Sequence, residues 1–167
     1  MAVDSAVASL AQEGKYLSFV LGREEYGLEI LKVQEINGMM GVTKVPRTPA
    51  YIRGVINLRG RVIPIICLRE HFKLSRVEET EKTCIIVVQV QSKDTSLTMG
   101  IIVDEVSEVL NIGRKQIEPA PSFGGGMDDA DFITGMGKLE EKVVILLDID
   151  RLLQYEDLAM IAEVGAE

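Results

Sequence analysis

Residues that carry chemistry are scarce in this chain. It has one histidine and two cysteines among 167 residues, and 18 Lys and Arg against 26 Asp and Glu leave a formal net charge of -8. A Ser-His-Asp triad would have to use His71, whose Arg-Glu-His-Phe context offers no nucleophile nearby in sequence. The expectation is a surface or half-buried structural histidine. A structural zinc site takes about four Cys or His ligands, and the chain holds three such residues in all. The acid surplus disfavours nucleic acid and anionic membrane as partners, since both need a basic surface. No apolar run approaches the ~18 residues of a membrane span, and residues 1 to 14 lack the basic start and long apolar stretch of a leader. A soluble, cytoplasmic protein without membrane insertion is expected.

What the chain does have is apolar β pattern, written twice. At 47% hydrophobic it can pack a core as one domain or two small intimate ones. Cys67 and Cys84 fall within the runs Ile-Ile-Cys-Leu and Thr-Cys-Ile-Ile, where a buried thiol more often fills space than pairs. Tyr51 to Leu58 and Val62 to Leu68 flank Arg59-Gly60-Arg61, the signal of a tight hairpin with an arginine at its tip. At an offset of 81 this stretch repeats: Ile52 falls on Ile133, Gly54 on Gly135, Leu58 on Leu139, Val62 on Val143 and Leu68 on Ile149. At an offset of 73, Tyr26-Gly27-Leu28 through Ile36 falls on Met99-Gly100-Ile101 through Val109. One β unit is therefore present in two copies, with a longer connection inside the second.

Taken in order, Met1 to Gly14 reads as a frayed or short helical tail, and Tyr16 to Leu21 and Tyr26 to Ile30 as strands joined by a charged turn. Val33-Gln34-Glu35-Ile36 fits a tight helical turn or a bent strand. Pro46 and Pro49 keep residues 44 to 50 extended. With the hairpin, the first copy has about five strands of a length that closes into a small barrel. Residues 15 to 72 are expected to form the first barrel and 83 to 149 the second, with the polar stretch Lys73 to Lys82 as linker. Residues 113 to 132, with Pro119, Pro121 and Gly124 to Gly126, read as a long excursion. A C-terminal helix is expected over 150 to 163, capped by Asp150, with Leu152, Tyr155, Leu158 and Ala162 on one face.

No catalytic or cofactor signature assembles. Gly124 to Gly126 lacks the lysine and Ser/Thr of a phosphate loop, and Asp128, Asp129 and Asp131 lack calcium-loop spacing. Asp148 and Asp150 could form an acid/base pair, and with His71 they keep a hydrolase as the reading from another class. A large β core without chemistry is better explained as a surface for other proteins. The differences between the copies then become informative. Glu35 is matched by Glu108, but Arg59 is matched by Glu140. The first copy alone can pair its glutamate with a tip arginine. Such a half-exposed pair contributes at most about 1 kcal/mol, so it serves better to orient a guanidinium than to stabilise. Val33, Ile36, Val106 and Val109 hold matching places and suit either core or a groove between barrels that takes the apolar face of a partner helix.

The runs Tyr16 to Gly22, Glu25 to Ile36, Thr48 to Gly60 with Val62 to Ile65, and Gly100 to Leu110 resemble the CheW family of bacterial chemotaxis coupling proteins over residues 15 to 155. The resemblance implies an all-β fold of two SH3-like five-stranded β-barrels packed side by side, and an adaptor with no catalytic activity and no cofactor. It implies two partners, the cytoplasmic tip of methyl-accepting chemotaxis receptors and the regulatory domain of the histidine kinase CheA, in arrays at the inner membrane. Glu35 and Arg59 then correspond to residues important for coupling. Val33, Val106 and Val109 correspond to the receptor-facing groove, and Met39, Met40 and Gly54 are the candidates near the kinase-facing surface. Cys67 stands where the family commonly has aspartate. An adaptor of a parallel pathway, in surface motility or second-messenger signalling, is the alternative within the class.

Overall fold

The computed structural model describes residues 12–75, 77–92, 95–119 and 132–152. Strands β1 (Gly14–Leu21) and β2 (Glu24–Glu29) form a hairpin, and a single 3-10 turn, Ile30–Lys32, leads into β3 (Val33–Gly38). The ambiguous run at Val33 is thus a strand, with a register shift between Val33 and Glu35. After the Pro-containing loop come β4 (Ile52–Leu58), β5 (Arg61–Cys67) and the helical turn α1 (Leu68–His71). The second copy supplies β6 (Cys84–Ser92), β7 (Thr95–Val103), β8 (Glu105–Ile112), the two-residue β9 (Ile117–Glu118), β10 (Ile133–Leu139), β11 (Lys142–Leu147) and α2 (Ile149–Leu152).

The fold is all-β, in two sheets ordered β8-β1-β2-β11-β10-β9 and β3-β6-β7-β5-β4. The expected assignment of 15–72 to one barrel and 83–149 to the other is corrected by this order. Each barrel takes the first hairpin of one copy and the later strands of the other. Replacing β1, β2, β3, β4 and β5 by β6, β7, β8, β10 and β11 converts one order into the other, so the repeat survives as a pseudo-two-fold relation. The bulges agree too, with register shifts between Ile52 and Gly54 and between Ile133 and Gly135. The physical reason lies at the exit from each first hairpin. The Ile30–Lys32 turn carries the chain out of one sheet and into the other, and Asp104 breaks β7 from β8 at the matching place. Because the apolar patterns of the copies coincide, either set of later strands completes either hairpin. The joins are parallel, β2 with β11 and β5 with β7. Pro64 is tolerated inside β5 because the ladder to β7 begins one residue later, at Ile65.

Three apolar clusters follow from this plan. Ile56, Ile63, Ile65, Ile85, Val87 and Ile102 fill one barrel, and Tyr16, Ile112, Val144 and Leu146 fill the other. The largest cluster joins them, with Leu17, Phe19 and Leu28 from one sheet against Ile66, Ile86, Val88 and Ile101 from the other. Burial of this central layer is the main force holding the two barrels as one body.

Several local expectations also change. Asp148, not Asp150, caps α2, its Oδ1 accepting from the N–H of Asp150 at 2.9 Å and of Arg151 at 3.3 Å. The first part of the excursion is ordered, as a 3-10 turn Arg114–Gln116 and β9. Residues 120–131, the helix beyond Leu152 and the tail before Gln12 lie outside the described residues. The described residues of the linker 73–82 are all exposed.

Candidate protein-docking site

The β4–β5 hairpin closes on two residues, Leu58 pairing with Arg61. Arg59 has φ 53 and Gly60 φ 85, so both lie in the left-handed region that a two-residue turn matching the sheet twist requires. Glycine adopts it freely, and Arg59 does so at a steric cost. The turn is held by Asn57, whose Oδ1 accepts from the Gly60 N–H at 2.8 Å. It brings the Arg59 guanidinium across to β3, where Nη2 donates to Oε2 of Glu35. The other carboxylate oxygen, Oε1, accepts from the side chain of Asn37 at 2.8 Å. The hydrogen bond from Asn37, followed by that from Arg59, holds the Glu35 carboxyl below the usual carboxylate range.

Exposure separates the two partners. The Glu35 side chain is 26% exposed and that of Arg59 70%, so the pair leaves a fixed guanidinium facing solvent. The second copy is built otherwise. Glu140 occupies the tip, and Glu108 faces Lys142 at 3.9 Å while Lys142 binds Glu25 at 3.0 Å. A cation thus approaches Glu108, but from the strand rather than the tip, and it is shared with a second carboxylate.

The register shift in β3 puts Val33 and Ile36 opposite Val88 and Ile86, which face the central cluster, and half-buried Glu35 and Asn37 opposite Val87 and Ile85 on the other face. Val33 and Val106 both pack at the margin of the central cluster, one from each barrel. Val109 and its counterpart Ile36 project further, at 50% and 42% exposure.

The kinase-side candidates have structural work of their own. Met39 and Met40 are half-buried against the core of the barrel that holds β3 to β7. Gly54 is buried, with φ 140, and a Cβ there would lie 2.0 Å from the Thr43 carbonyl oxygen. That contact is a backbone bridge, with Thr43 and Val55 exchanging N–H···O bonds of 2.8 and 2.9 Å. Asn37 was missed in the sequence although a signal existed. Its counterpart in the second copy is Leu110, so the comparison that singles out Arg59 singles out Asn37 as well.

The residues kept for a hydrolase are each engaged elsewhere. His71 Nε2 lies 2.9 Å from the Leu152 carbonyl oxygen and its ring packs on Tyr51 at 4.9 Å, a half-buried structural histidine. Asp148 caps α2. Asp150 accepts from Lys32 Nζ and from the Gln91 N–H, each at 2.7 Å. Cys67 and Cys84 are both free thiols.

Comparison with known proteins matches residues 15–157 to the model of a CheW-like domain. A "Chemotaxis protein CheW" of Klebsiella aerogenes is 43% identical over 168 residues, covering 99% of this chain and 98% of that protein. The "Chemotaxis protein CheW" of Bacillus subtilis is 34% identical, covering 85% and 88%. Among solved structures, the scaffolding protein TtCheW of Thermoanaerobacter tengcongensis superposes with a TM-score of 0.75 at 32% identity, over 87% of this chain and 96% of that one.

Proposed function

The chain belongs to the CheW-like domain family, and on that premise we propose that it is a non-catalytic chemotaxis adaptor coupling methyl-accepting receptors to the histidine kinase CheA. The observation that carries the reading is the Glu35–Arg59 pair, which holds an exposed guanidinium at a rigid hairpin tip on one copy only. An exposed pair adds little stability. Its arrangement instead suits a partner surface that presents acceptors beside an apolar ridge. Val33 and Val106 supply the apolar margin, with Val109 further out, and the receptor's helical hairpin lies along it with Arg59 and Glu35 at one end.

The kinase regulatory domain docks on a separate face of the barrel that contains β4 and β5. Met39 and Met40 shape that face from beneath, and Gly54 fixes the loop that crosses it. No helix among the described residues is long and apolar enough to cross a membrane. The protein acts in the cytoplasm and reaches arrays at the inner membrane through its receptors.

Pull-downs with a receptor cytoplasmic-tip fragment and with the CheA regulatory domain test this. Arg59→Glu and Val33→Asp should each weaken receptor capture about tenfold or more and leave kinase capture intact. Normal receptor capture by both variants would defeat the assignment.

A further inference from the structure

Each barrel is tied to a helical turn by an ion pair, and the two pairs run in opposite senses. In α1, Arg69 donates to Asp104 at 2.8 Å through Nε and 2.7 Å through Nη2, and Asp104 also accepts from the Gly22 N–H at 2.8 Å. In α2 the residue matching Arg69 is Asp150, an anion in place of a cation. It accepts from Lys32 Nζ and from the N–H of Gln91, which the strand registers place where Gly22 stands in the other copy. The residue matching Asp104 is Leu31, 91% exposed, and the cation sits beside it at Lys32. The charges have exchanged sides, but the geometric link has been kept.

The link matters most at Lys32. The Ile30–Lys32 turn has no side-chain cap and contains no fully buried residue, so local forces fix it weakly. The next residue is Val33, and Glu35 follows two positions later. We propose that Asp150 is a positioning residue for the docking groove: by bridging Lys32 and the Gln91 backbone it sets the start of β3, and with it the placement of Val33 and Glu35 against the partner. The inference rests on the receptor-groove reading given above.

Amide hydrogen exchange and binding, measured on the full chain, test it together. In Asp150→Asn, exchange across residues 30–36 should rise about tenfold while residues 61–67 stay unchanged. Affinity for the receptor-tip fragment should fall about fivefold to tenfold, with affinity for the CheA regulatory domain within about twofold. The reversed pair Leu31→Asp with Asp150→Arg, which puts a carboxylate at the counterpart of Asp104 to accept from the Gln91 N–H and a cation at the counterpart of Arg69, should recover both. Unchanged exchange at 30–36 overturns the proposal, as does equal weakening toward both partners or failure of the reversed pair to recover. If exchange responds as stated but even the unaltered protein ignores the receptor fragment, the positioning role stands and the receptor reading falls.

Discussion

Glu35 gains its role from what surrounds it. With Asn37 and Arg59 both donating to the carboxylate, the folded-state pKa lies below the ordinary value. The pair is therefore fully formed above the ordinary carboxylate pKa and is lost as pH falls through the lowered one. Titration of the Glu35 carboxyl followed by NMR should show that depressed midpoint, and Asn37→Ala should move it back up. Gly54 has the opposite character, since it touches no partner in the site and is required by backbone alone. Gly54→Ala would combine a strained φ with a Cβ 2.0 Å from the Thr43 carbonyl oxygen. A loss of about 3 kcal/mol or more is expected, read from the urea midpoint. Loss of kinase binding in such a variant would then report the displaced 43–44 segment, not a missing contact.

At the scale of elements, the connection from β7 to β8 is pinned by Asp104. Burial pushes its carboxyl up, and the hydrogen bonds from Arg69 and from the Gly22 N–H outweigh that, leaving it below the usual range. Both side chains are less than a quarter exposed, at 24% and 15%, so screening is limited. Asp104→Asn should cost about 2 kcal/mol at neutral pH. Sign follows from the lowered folded pKa: the contribution is present above the unfolded carboxylate pKa and disappears as pH falls through the folded one. Urea midpoints of protein and variant should converge in that window.

Elements were largely legible in the sequence because apolar alternation and turn residues are local signals. The β4–β5 hairpin, most of the strands and the Glu35–Arg59 pairing could be read there, while Val33–Ile36 stayed open between a helical turn and a strand and β9 lay hidden in the excursion. The capping of α2 could not, since Asp148 and Asp150 are both plausible caps until the chain direction at the end of β11 is known. Nor could the Lys32–Asp150 link, which joins residues 118 positions apart.

For the whole molecule, the sequence revealed the repeat but not which copy each strand joins. Equivalent strands carry equivalent patterns, so exchanging them changes no local signal and alters only the path between sheets. The exchange has a thermodynamic consequence. Since each barrel contains strands from both copies and the largest cluster lies between them, neither can melt while the other stays intact. Scanning calorimetry should show one transition, with equal calorimetric and van't Hoff enthalpies, and not two resolved steps.

The same interlacing bears on ancestry and on asymmetry. A half-length chain bearing one copy could shut neither barrel by itself, yet two such chains clasped together would complete both. Fusing them end to end releases a constraint that identical protomers cannot escape, because a change on one half is no longer mirrored on the other. That is why a single arginine finger can face outward from one side of a body whose skeleton is nearly symmetric.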